Sequence, residues 1–230
     1  MTPRRRATFV ALLLAIALAC ALLGRWQLRR LHERRAANAA ALAARSAPPV
    51  VLAPNAPRPA ALEERRVVAR GTYDPAHAFV IRGRVFEGNP GVYVVTPLRL
   101  AGSDTAVLVR RGFVPAADAV SARADTFPEP GSVTVTGLAA ALRAAGGGEP
   151  LTRPAGTTWR YLDLGATRLA LPYPLLPVVV QQLPDPALPR YPRRLPAPAL
   201  DDGPHLSYAI QWFAFMTIAL VGAGIFWKRF

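Results

Sequence analysis

The sequence predicts an α+β membrane protein in which two transmembrane helices, N- and C-terminal, flank a β-rich soluble domain, an antiparallel sandwich or barrel-like module. Three observations predict it. Residues 7–23 and 206–227 carry no charged side chain. Basic residues flank both runs, with Arg4-Arg5-Arg6 and Arg25 around the first and Lys228-Arg229 after the second. Much of the chain between them breaks into short β-branched and aromatic segments separated by turn residues.

The first run holds 17 residues, about 26 Å of helix and slightly short of the hydrocarbon core, so Gly24 and an interfacial Trp26 complete the crossing. A cleaved signal peptide is the alternative, because Ala17-Leu18-Ala19 has the small-x-small form and Cys20 suggests a lipoprotein site. Ala17, however, stands where such a site has leucine, and the apolar run continues through Ala21-Leu22-Leu23. We therefore read residues 1–27 as a tail and a retained first span. Residues 28–45, rich in Ala, Leu and Arg without Pro or Gly, continue as helix. The five prolines of residues 48–59 end it in a linker or an extended edge, so that 28–60 form a helix and a proline-rich linker.

The β-rich domain occupies residues 61–183. The clearest strands are 66–73, 79–82, 92–100 and 105–114, and weaker ones are 132–138, 158–164 and 175–183. Gly88-Asn89-Pro90-Gly91 marks a turn, and Gly146-Gly147-Gly148 a flexible loop. Val107 to Val109 and Val178 to Val180 are continuously apolar, as in strands buried on both faces. Residues 184–204 contain seven prolines; fully extended they would reach roughly 65 Å and return the chain to the membrane. Residues 205–230 hold the second span, about 33 Å over its uncharged part, and a short tail.

The formal net charge of +14 does not indicate nucleic acid. Lys228 is the only lysine, an arginine bias that a GC-rich genome explains, and the basic residues gather beside the apolar ends, where they face membrane lipid. No nucleic-acid-binding signature accompanies them. Cys20 is the only cysteine, which excludes an internal disulfide and a dithiol copper site. Two spans put both termini on one side. Three arginines precede the first span and five follow it (Arg25, Arg29, Arg30, Arg34, Arg35), so charge alone leaves the orientation open.

The inventory for chemistry is thin. His32, His77 and His205 are the only histidines, none at a metal-binding spacing from another. No nucleophile elbow, phosphate loop or haem-attachment motif occurs, and Asp74, Asp104 and Asp163 sit where turn-forming aspartates are ordinary. The expectation is a protein without enzyme activity. One group stands apart. Asp201-Asp202-Gly203-Pro204 leads into His205 at the start of the second span, where an aspartate can cap the helix and the dipole opposes added positive charge. Tyr208 and Trp212 follow three and seven residues on, on roughly one face. The stripe suits a flat apolar cofactor held by His205, and it equally suits three residues that favour the membrane interface.

Several blocks resemble one family. Gly24-Arg25-Trp26-Gln27-Leu28-Arg29-Arg30-Leu31, Gly71-Thr72-Tyr73, Gly91-Val92-Tyr93-Val94-Val95-Thr96-Pro97-Leu98, Val107-Leu108-Val109-Arg110-Arg111-Gly112-Phe113-Val114-Pro115 and Pro204-His205-Leu206-Ser207-Tyr208-Ala209-Ile210-Gln211-Trp212-Phe213 are similar, in order, to blocks of the Surfeit locus protein 1 family, which assists cytochrome c oxidase assembly. Arg110 and Phe113 depart from the family's usual Asn and Trp, while Arg111-Gly112 keep its pattern. The resemblance implies a bacterial inner-membrane protein with both termini cytoplasmic and the central domain periplasmic. It implies a non-enzymatic factor that holds or hands over haem a, with His205 as proposed haem ligand beside Tyr208 and Trp212, and with no metal beyond the haem iron. The implied partners are cytochrome c oxidase subunit I and haem A synthase. Two alternatives remain: a scaffold that stabilises subunit I without cofactor, and a membrane-anchored periplasmic ligand sensor or enzyme.

Overall fold

The computed structural model describes residues 3–120, 122–142, 151–153 and 156–229. In chain order the elements are α1 (Pro3–Ser46), β1 (Val50–Val51), α2 (Pro59–Leu62), β2 (Arg66–Tyr73), β3 (Phe79–Phe86), β4 (Asn89–Leu100), β5 (Ala106–Pro115), β6 (Ser132–Ala141), β7 (Leu151–Arg153), β8 (Gly156–Trp159), α3 (Leu164–Ala170), β9 (Leu175–Gln182) and α4 (His205–Arg229). The chain divides into two compact units, one of Met1–Leu42 with Ala199–Phe230 and one of Ala43–Pro198.

The first unit is a pair of helices, both long and apolar enough to cross a membrane. α1 has 44 residues, about 66 Å at 1.5 Å per residue, so the span and the arginine-rich stretch after it are one unbroken helix. Its buried positions, Ala17, Cys20, Gly24 and Leu31, recur at intervals of three, four and seven, the seam of a packed helix pair. Ala209, Ala219 and Ala223 are buried on α4. Small residues let the two backbones approach: a Cβ on Gly24 would lie 2.8 Å from the Phe213 ring. Phe9 and Phe226 meet with ring centroids 4.4 Å apart, which sets the helices antiparallel. Leu12, Leu18, Ile210, Ile218 and Val221 point outward, as lipid-facing side chains do when the solvent is hydrocarbon.

The second unit is built on a closed barrel. β2 pairs with β6, β6 with β9, β9 with β5, β5 with β4, and β4 returns to β2. All five pairings are antiparallel except β5 with β9, which is parallel. Closure removes the exposed edges that a small open sheet would carry. It occurs at Gly71, which faces Leu100 on β4 and Val133 on β6. A Cβ there would sit 1.9 Å from the Arg99 carbonyl oxygen, so only glycine lets β2 meet both neighbours. Val67, Leu98, Val107, Val109, Val135 and Val180 fill the interior. Leu108 points the other way, into a second core with Phe79, Ile81, Val95, Trp159 and Leu175. β5 is thus buried on both faces, as its unbroken apolar run predicts. β3 extends the sheet beyond the barrel and carries β8 and β7. Val50–Val51, inside the proline-rich stretch, adds a short parallel edge to β2.

Four local expectations need correction. The turn before β4 is Glu87-Gly88, not residues 88–91: Phe86 pairs with Asn89, and both turn residues have positive φ, 49° and 77°, the mirror-image turn whose twist suits a two-residue hairpin. β3 accordingly runs on to Phe86 rather than ending at Arg82. The strand expected over 158–164 stops at Trp159, because the Asp163 side chain accepts from the Ala166 N–H at 2.8 Å and starts α3. Residues 184–198 are not a fully extended tether: Asp185 forms a turn with Ala187 and Leu188, and Arg193 bridges to Phe113 on β5 through two 2.8 Å backbone bonds. The glycine run 146–148 lies outside the described residues.

Candidate functional site

His205 is the first residue of α4, and its Nδ1 lies 2.9 Å from Gln27 Oε1 on α1. An amide oxygen only accepts, so Nδ1 carries the hydrogen, and in the neutral ring the lone pair falls on Nε2. Gly203 flanks that nitrogen with φ +66°, and a Cβ there would lie 3.6 Å from Nε2. Nε2 has no hydrogen-bond partner among the described residues, and a histidine oriented through one nitrogen with the other unbonded is the arrangement axial ligation uses. The residues present therefore fit a haem ligand on Nε2.

Tyr208 is 45% exposed, and Trp212 packs edge-on against Phe215, centroids 6.0 Å apart. Among the described residues no ring contact joins His205, Tyr208 and Trp212. Gln27 is what the structure brings to His205 instead. The sequence blocks give Gln27 no role by themselves; its signal is its place three positions after Gly24 and four before Leu31, on the seam.

The approach to α4 is pinned to α1. Arg35 Nε donates to Asp202 Oδ2 at 2.8 Å, and Arg34 Nε and Asn38 Nδ2 donate to the Asp201 carbonyl at 3.1 and 2.8 Å. Asp201 Oδ1 accepts from the Gly203 N–H at 3.0 Å, so this aspartate shapes the turn before the helix rather than capping the helix itself. Arg29 and Arg30 both bind Glu33. Arg34 Nη2 also lies 4.0 Å from Asp201 Oδ1, so four of the five arginines that follow the first span have carboxylate partners.

In the barrel unit the block around Arg111-Gly112 has a structural reason. Val94 pairs with Gly112 and Val95 with Arg110, so Arg111 is the extra residue of a bulge, and bulges re-aim a side chain. Arg111 turns inward: its side chain is 3% exposed and donates to Glu129 Oε1 at 2.6 Å, while its guanidinium lies 4.7 Å from the Tyr73 ring centroid. Arg194, equally buried, donates to the same oxygen, to the Pro192 carbonyl at 2.9 Å and to Gln182 Oε1 at 3.1 Å. Burial pushes the Glu129 carboxyl up, but Arg111 and Arg194 together outweigh it and hold it below the usual range. Gly112 admits the returning chain, since a Cβ there would lie 2.3 Å from the Arg193 carbonyl oxygen. Arg110, beside it, donates to Gln181 Oε1 and lies over Tyr93.

A second polar cluster braces the turn that follows β2. Asp74 Oδ2 accepts from Tyr173 O–H at 2.9 Å and meets His77 Nδ1 at 2.7 Å, while Oδ1 accepts from the Ala76 N–H at 3.1 Å. Both carboxylate oxygens are committed to these contacts, which tie the turn after β2 to the segment entering β9.

The profile of the SURF1 family matches residues 14–217. A SURF1-like protein of Monosiga brevicollis is 28% identical over 211 residues, covering 86% of this chain and 79% of that protein. SURF1-like proteins of Mycobacterium tuberculosis and Mycobacterium bovis are 30% identical over 166 residues, 70% of this chain and 59% of theirs. The matched stretch includes both the His205–Gln27 contact and the Arg111-Gly112 bulge, and the chain belongs to the SURF1 family, which is associated with cytochrome oxidase assembly.

Proposed function

We propose that this chain is a non-enzymatic assembly factor that holds haem a through His205 for delivery to cytochrome c oxidase subunit I. The observation that carries the reading is the His205–Gln27 contact: it fixes the imidazole at the start of α4 by Nδ1, and Nε2, beside Gly203, has no hydrogen-bond partner among the described residues. Haem a, when bound, supplies the redox iron that the oxidase needs, and His205 supplies one ligand to it. Tyr208, open on the outer face of α4, is a surface for the flat macrocycle or for a neighbouring helix. Haem A synthase, as the source of the cofactor, is a second partner under this reading.

The domain between the spans is read as periplasmic and both termini as cytoplasmic, in a bacterial inner membrane. Four of the five arginines that run against the positive-inside rule have carboxylate partners on their own helix or before α4, which gives them a structural reason to follow the first span.

The test is haem content. Co-expressed with haem A synthesis, the purified full-length chain is expected to carry haem a, and His205→Ala to lose most of it. Equal haem in both proteins removes the ligand reading and leaves the scaffold, in which the spans grip subunit I without touching cofactor. Membranes lacking the chain separate the two further: haem-deficient oxidase follows from the first, haem-replete oxidase with poor subunit association from the second.

A further inference from the structure

Beyond the helix pair, the barrel unit carries a basic cleft that the haem reading does not use. Arg82, Arg84 and Arg160 line it with Tyr161 and the turn Asp118-Ala119-Val120, around a volume of about 540 Å³. Three guanidiniums thus share the cleft with one carboxylate. Asp118 Oδ1 accepts from the Val120 N–H at 2.9 Å, part of the turn's own structure.

The sheet builds this convergence. β3 shifts register between Ile81 and Arg84, and Gly83 at the shift has φ +69°. Its N–H donates to the Ala119 carbonyl at 2.8 Å, which draws the turn against the strand. Arg84 is braced from two sides: Nη2 donates to the Arg160 carbonyl at 2.8 Å, and its guanidinium lies 5.6 Å from the Tyr93 ring centroid. Its Nε is buried without a hydrogen-bond partner among the described residues, and a buried donor left unpaired costs free energy. Among the described residues the hydrogen bond of the Arg82 side chain is a 3.5 Å contact to Thr158 Oγ1, and Arg160 is exposed at the rim. Arg110 stands on the Tyr93 ring as well, and its positive charge adds to the field of the cleft.

We infer that this cleft binds a phosphate group. Guanidinium forks pair with phosphate oxyanions through two parallel bonds, and three arginines with one aspartate leave the cleft lining with an excess of positive charge to receive one. The phosphate could belong to a lipid headgroup or to a free phosphate ester; the chemistry of recognition is shared.

The test uses the full-length chain in neutral detergent at constant ionic strength set with chloride. Calorimetric titration with pyrophosphate forms one arm, and titration with mixed micelles of phosphatidylglycerol, against phosphatidylcholine, the other. Saturable pyrophosphate binding that Arg82→Ala and Arg160→Ala each weaken about tenfold, and that Arg66→Ala on the exposed side of β2 leaves alone, supports a free phosphate ligand. The same dependence seen only with phosphatidylglycerol supports the headgroup. Arg160→Ala removes an exposed side chain and serves as the variant that folds. Absence of saturable binding in both arms, or equal binding by wild type and a folded Arg160→Ala, overturns the inference.

Discussion

Arg111 and Arg194 donate to one and the same oxygen of Glu129, so a single carboxylate joins the bulge of β5 to the segment that leaves β9. The two arginine side chains are each 3% exposed and the glutamate 10%. Removing one member of a buried ionic group strands the others: Glu129→Ala is expected to destabilise the barrel unit by about 3–5 kcal/mol. Thermal melts of the purified chain measure it. Arg111→Lys is expected to recover little of an Arg111→Ala loss, because an ammonium cannot both reach Glu129 and stack on Tyr73 as the planar fork does.

The barrel seam makes a sharper demand. Gly71→Ala places a carbon where the Arg99 carbonyl oxygen stands, and the β2–β4 pairing must open. A loss of about 4 kcal/mol or more is expected. Gly88→Ala is the comparison: its φ is +77° but nothing lies within 4 Å of the added carbon, so only the left-handed backbone cost of about 1–2 kcal/mol applies. Limited proteolysis of the two variants should rank them in that order.

A pH dependence follows from Asp74. Burial alone would raise its carboxyl, but the hydrogen bonds from His77 and Tyr173 prevail and hold it below its ordinary value. A depressed folded-state pKa means that the stabilisation is fully present above the ordinary carboxylate value and is lost as the pH falls through the lower, folded one. Wild-type stability should therefore fall more steeply than that of Asp74→Asn below about pH 4. Parallel melting profiles for the two proteins between pH 5 and 3 would contradict this.

At the helix pair, Gln27→Leu removes the acceptor of His205 Nδ1. The coupling between these residues, taken from a double-mutant cycle with His205→Ala, is expected at about 0.6–2 kcal/mol, the range for polar contacts between membrane helices. If His205 ligates haem, Gln27→Leu should also broaden the haem spectrum while leaving haem bound, since it frees the ring to rotate without removing the ligand.

The Arg35–Asp202 pair is expected to matter little on its own. Its side chains are 53% and 43% exposed, and exposed pairs contribute about 0–1 kcal/mol. Asp202→Asn should leave the melting temperature within a degree or two at physiological salt.

The sequence by itself determined what depends on composition and local pattern. Two uncharged runs of membrane length follow from hydropathy alone, because lipid rewards apolar side chains whatever the neighbours are. The alternation or continuity of apolar residues located most strands and identified β5 as buried on both sides. Asp163 shows the limit: its place before Leu164 carries a cap signal, but a neighbouring run of strand-like residues outweighed it. Tertiary structure decided everything that needs two distant segments at once. Gly71 is an ordinary strand glycine until Arg99 arrives opposite it. Arg111 reads as a surface charge until a bulge turns it inward onto Glu129 and Tyr73. Gln27 and His205 lie 178 positions apart; the seam spacing puts Gln27 on the packed face of α1, but nothing along either helix names its partner. Contacts of that kind are set by how strands close and helices pack, which is a property of the folded chain and not of any window along it.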